Sequence, residues 1–181
     1  MHYQKKAAEY CNGLENENPL LVSNIYSNLG AVYLSNGNKT EARKYMELGY
    51  SVLKKSGLDN SRDGIAQVFN YANLAAELGE YNKAVTALER CAKVMYDSDL
   101  YYTTDYANIL WGAGLMYMDM GEIHKAQKRI DTAWNIYSEV WKDEPELIEA
   151  KCAEFQSSAL KTLLTSSKAD KLREFMDKNC Y

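Results

Sequence analysis

The stretch Tyr26-Ser-Asn-Leu29-Gly30-Ala-Val-Tyr33, followed by Asn36-Gly37 and then Ala42-Arg-Lys-Tyr-Met46, decides the fold. Its apolar residues recur at three and four positions, the period of an amphipathic helix, on both sides of a two-residue break. Asn-Gly at the break is turn chemistry. The expectation is two helices folded back on each other. The pattern then returns: Gly37, Gly79 and Gly121 fall 42 residues apart, and each is followed five residues later by alanine, at Ala42, Ala84 and Ala126. A fixed period of this length is the mark of a repeat architecture, in which each unit buries its apolar face against its neighbours.

Working outward, Pro19 and Pro145 are the only prolines and lie three periods apart. Asn18 before Pro19 is an N-cap before a residue suited to the first helical turn. The register gives full repeats over 19–60, 61–102 and 103–144. Residues 1–18 form the back half of a preceding repeat plus a connector, and 145–181 form a degenerate fourth repeat with capping helices. The N-terminal part predicts a helix from His2 to Gly13 with Ala7, Ala8, Tyr10 and Cys11 on its apolar side. At the other end Leu163 replaces the turn glycine, and a last helix is expected from Ala169 to Asn179. Each first helix (helix A) should run about 17 residues and each second helix (helix B) slightly more, on the order of 25–30 Å. The register also lines up small residues in three columns, Gly30/Ala72/Gly114, Ala42/Ala84/Ala126 and Gly49/Cys91/Ala133. Helices approach closely only where side chains are small.

Composition narrows the function. The chain has 181 residues, 46% hydrophobic and 25% charged, with a net charge of −4. That balance suits a soluble domain and argues against direct nucleic-acid binding, which calls for a basic face. No apolar run reaches the length of a membrane span and no signal-peptide pattern opens the chain, so a cytoplasmic location is the expectation. Cys11, Cys91, Cys152 and Cys180 contain no metal or disulfide spacing. His2 and His124 have no partner at a metal or triad spacing, and no phosphate-loop or nucleophile-elbow motif is present. We expect no enzyme activity, no cofactor and no metal.

The Tyr-x2-Leu-Gly-x2-Tyr…Ala-x3-Met pattern resembles the tetratricopeptide repeat, in the 42-residue form of the kinesin-light-chain type. The resemblance covers about residues 19–144. It implies an all-α, right-handed α-solenoid of antiparallel helix pairs. It also implies a binding groove lined by the A helices, on which an asparagine often pins ligand backbone. Mapped here, the lining comprises Asn24, Ser27, Asn28 and Ala31, then Phe69, Asn70, Asn73 and Glu77, then Asn108, Trp111, Leu115, Met118 and Asp119. Asn28 and Asn70 match the asparagine, whereas Gly112 departs from it. No Lys or Arg falls at these positions, so the carboxylate clamp and the basic groove of some relatives are missing. The implied partner is a protein or peptide, neutral or basic, with apolar anchors held by Phe69 and Trp111. A competing reading packs Phe69 and Trp111 between neighbouring A helices. Two other functions stay open: a peptide-sensing domain of a larger bacterial regulator, and a self-assembling homo-oligomer. Tyr96, Tyr101 and Tyr102 are either a contact edge or half-buried packing.

Overall fold

The computed structural model describes residues 6, 9–11, 13–165 and 177, with 158–165 as backbone. Among them lie seven helices: α1 (Pro19–Ser35), α2 (Lys39–Lys55), α3 (Ile65–Glu77), α4 (Tyr81–Asp97), α5 (Thr104–Asp119), α6 (Ile123–Val140) and α7 (Pro145–Thr165). Lys6 and Glu9–Cys11 are helical as well. The helix expected over 169–179 lies outside the described residues.

Local chemistry sets the helix limits. Asn18, Asn38 and Thr103 cap α1, α2 and α5, each accepting a backbone N–H three residues on at 3.2 Å. Such caps satisfy amides that the first turn leaves unpaired. The other ends share one device. After α1, α3 and α5 the chain turns through Gly37, Gly79 and Gly121 at φ 75°, 78° and 72°. The residue after each glycine then donates its N–H back five positions at 2.8 Å. This left-handed closure favours glycine because a Cβ is disfavoured there. Gly57 closes α2 in the same conformation at φ 72°. The 42-residue register is therefore written in the backbone as well as in the sequence.

The helices belong to two compact units, residues 1–94 and 95–181. In the first, α1 lies against α2 and α3. A Cβ built on Gly30 would sit 3.3 Å from both the Ala42 carbonyl oxygen and Leu74 Cδ1, and one on Gly49 would sit 3.1 Å from the Ser23 carbonyl oxygen. Small residues thus mark the crossings. Val22, Tyr26, Leu29, Tyr33, Ala42, Tyr45 and Val52 fill the space between them, with Cys11 packed alongside. In the second unit α5 pairs with α6, and Gly114 meets Ile130 and the Ala126 carbonyl. All nine positions of the three columns are buried.

Two expectations need correction. Tyr10 is 76% exposed, so it is not on the buried side of its helix, whereas Cys11 is. Helix α3 has 13 residues and not about 17. The missing turn is replaced by two 3-10 turns, Leu58–Asn60 and Arg62–Gly64. Gly64 tucks beneath the Leu58 carbonyl, where no side chain fits. The Asp59 carboxylate, buried below, is met by the Arg90 guanidinium from α4.

Candidate binding surface

The first unit gathers one set of candidate lining residues. On α1, Asn28 and Ala31 are exposed, Asn24 is half-buried and Ser27 is buried. On α3, which packs beside α1, Phe69 and Asn70 are half-buried while Asn73 and Glu77 are exposed. Asn28 donates through Nδ2 to Asn24 Oδ1 at 2.9 Å, which orients the α1 pair. The Asn70 and Asn73 side chains make no hydrogen bond among the described residues, so their donors and acceptors remain available. An amide offers two donors and an acceptor, enough to satisfy both groups of a passing peptide unit.

Behind this wall the unit is stiffened by aromatic and ionic contacts. Tyr50 stacks on Tyr71 with ring centroids 4.0 Å apart. Burial, helped by the Glu47 carboxylate, pushes the Tyr71 hydroxyl up to about 12. Lys83 bridges Glu47 on α2 and Glu80 at 2.5 and 2.7 Å, and Arg43 also meets Glu80. Cys91 is buried with its thiol raised to about 12 by desolvation, which suits an inert core residue.

The second unit arranges its residues differently. Asn108 accepts the Tyr137 hydroxyl at 2.6 Å, which orients its amide. Leu115 is half-buried, Met118 is buried and Asp119 is exposed. Trp111 is only 2% exposed. Its ring packs against Trp134, Tyr137 and Phe155, and its Nε1–H donates to Glu154 at 3.0 Å. The ring is therefore engaged within the second unit, by side chains of both α6 and α7. Lys151 Nζ lies 5.4 Å from the Trp111 centroid and 2.8 Å from Glu154, which places a cation beside this ring. The register held the clue to the partner of Trp111. Glu154 lies one period after Gly112, in the column of Asn28 and Asn70.

With this geometry in place the chain can be set beside known proteins. Residues 22–55 and 68–94 each match a family profile described as a tetratricopeptide repeat. The chain carries tetratricopeptide repeats at these two stretches. Its repeats are similar to part of response regulator aspartate phosphatase J of Bacillus subtilis (strain 168), with 26% identity over 108 residues. That match takes in 56% of this chain and 28% of the relative, so the chain spans well under half of that protein's length. Among solved structures, the crystal structure of BtubC (BKLC) from P. vanneervenii superposes with a TM-score of 0.70 over 97% of this chain and 68% of that one. At 18% identity the likeness is one of fold. It supports the α-solenoid reading of the tetratricopeptide helices. Among the described residues no helix is long and apolar enough to cross a membrane, and no group of three or more His, Cys, Asp or Glu could hold a metal ion.

Proposed function

We propose that this tetratricopeptide-repeat chain is a non-enzymatic scaffold that binds a protein or peptide segment along α1 and α3. One observation carries the reading. Two packed A helices leave four amide side chains, Asn24, Asn28, Asn70 and Asn73, out of the core, with the last two unbonded. Amides in that arrangement hold an extended or helical backbone whatever its sequence, and the half-buried Phe69 supplies apolar area beside them. Glu77 is the charged member of this set, so a neutral or basic ligand fits and an acidic one does not. The interaction takes place in the cytoplasm. A peptide array read with wild type and with Asn70→Ala/Asn73→Ala tests the proposal. Loss of one amide hydrogen bond costs about 1 kcal/mol, so the double variant should bind about tenfold or more weakly at unchanged melting temperature. Hits that are acidic, or that bind both proteins equally, would sink it.

A second reading rests on the similarity to response regulator aspartate phosphatase J. In it the chain serves as the repeat portion of a larger bacterial regulator, and the bound segment belongs to a signalling partner. Titration with a purified response-regulator receiver domain, beside the array peptides, distinguishes the two. A self-assembly role would instead show as a mass that rises with concentration in light scattering.

A further inference from the structure

The end of α4 and the turn into α5 carry an exposed aromatic cluster in the second unit. Tyr96, Tyr101 and Tyr102 are 60%, 42% and 63% exposed. Their rings form a chain, with centroids 5.2 Å apart at 40° for the first pair and 6.5 Å apart at 84° for the second. The surroundings are acidic. Asp97, Asp99 and Asp105 lie within this segment, and no Lys or Arg occurs between Lys93 and His124. Asp97 has an interaction of its own, whereas Asp99 and Asp105 form no ion pair among the described residues.

Asp99 is unusual in another respect. It is the one described non-glycine residue with positive φ, at 57°. It closes α4 just as Gly57 closes α2 one period earlier, with the Asp99 N–H reaching the Tyr96 carbonyl at 3.2 Å and the Leu100 N–H reaching Met95 at 2.9 Å. Glycine would be the easier occupant of that conformation. The sequence keeps a carboxylate there, next to three rings.

We infer that this turn is a second docking surface, for an arginine-bearing segment of a partner protein. A guanidinium is planar and weakly hydrated, so it stacks on a tyrosine face while forking to a carboxylate. Tyr96, Tyr101 and Tyr102 offer the faces; Asp99 and Asp105 offer the carboxylates. A polyanion or an anionic lipid surface is disfavoured because residues 94–123 include no Lys or Arg. A symmetric pairing of two copies would set aspartates against aspartates, a like-charge cost that an arginine-bearing partner avoids. This surface belongs to the second unit and the amide wall of α1 and α3 to the first; they share no residue, so the two stand or fall independently.

The test uses the full chain and a short fluorescent peptide of alternating arginine and glycine with blocked ends, compared with its citrulline counterpart, by anisotropy. The arginine peptide should bind at least about tenfold tighter and weaken with added salt. Tyr101→Ala and Tyr102→Ala should each weaken it about fivefold, the worth of one cation–ring contact. Asp99→Gly should weaken binding while raising the melting temperature, because it removes the charge and eases the backbone together. Tyr10→Ala, at an exposed ring of the first unit, should leave this binding unchanged. Equal affinity for the citrulline peptide, or full affinity in the tyrosine variants, overturns the inference. So does dimerisation of wild type that Tyr101→Ala abolishes and the arginine peptide does not compete.

Discussion

Gly64→Ala tests how the short α3 is built. A Cβ at this position would lie 1.9 Å from the Leu58 carbonyl oxygen and 2.8 Å from its carbon. Ordinary non-bonded contacts are on the order of 3.5 Å, so the two 3-10 turns must open by about 1.5 Å. The obstruction is backbone, which no change of rotamer relieves. Leu58 adjoins Asp59, whose buried carboxylate meets Arg90, and an opening of that size takes the pair out of hydrogen-bond range. Overpacking of this kind costs about 1–3 kcal/mol, and loss of a charged hydrogen bond about 1.5–3 more. Alanine returns roughly 0.4–1 kcal/mol by restricting the unfolded chain, since Gly64 is not at positive φ. The net expectation is a loss of about 2–5 kcal/mol, or on the order of 5–20 °C in melting temperature by far-UV circular dichroism. Hydrogen exchange across 58–64 should accelerate first. Gly30→Ala is the comparison and should cost less, because its contacts begin at 3.3 Å and call for a shift of only a few tenths of an ångström. If Gly64→Ala melted with wild type, the 3-10 turns would not be held where the structure puts them.

The other predictions draw on the same contacts. Arg90→Met strands a buried carboxylate, and with Arg90 itself about a third exposed the cost should be about 3 kcal/mol in urea denaturation; an unchanged midpoint would refute it. For Glu80, burial by itself raises the carboxyl, but hydrogen bonds from Lys83 and Arg43 outweigh it and hold the pKa below its ordinary 4.5. A lowered folded-state pKa stabilises above the unfolded value and is lost on acidification, so the stability gap between wild type and Glu80→Gln should close as pH falls below 4.5. A gap that widened there would have the sign wrong. Trp111→Ala empties a buried site and should cost about 3–5 kcal/mol of fold stability, with partial unfolding visible before any binding assay; a variant as stable as wild type would return Trp111 to the list of free anchors. Native Cys91, buried and with its thiol near 12, should resist a thiol reagent at pH 8 that modifies the half-buried Cys152, as mass spectrometry of the labelled peptides would show.

The periodic residues of this chain report on local geometry and repeat it faithfully. The glycines at 37, 79 and 121 fix where helices end, because only the backbone conformation at each site matters and that is written in one residue. The buried columns of glycine, alanine and cysteine followed from the same period. It is the resemblance to the tetratricopeptide repeat that assigns the amides of α1 and α3 to a groove. Tertiary structure decided the remainder. Whether Trp111 is an anchor or a core residue depends on α7, which delivers Phe155 and Glu154 from more than forty residues away. The truncation of α3 depends on the fit of Gly64 beneath Leu58 and on Asp59 finding Arg90, a pair 31 residues apart. The exposure of Tyr96, Tyr101 and Tyr102, against the burial of Tyr26, Tyr33 and Tyr137, depends on what each ring finds nearby. A period states where a side chain starts; what covers it is decided by partners distant in sequence, and burial is a property of the pair.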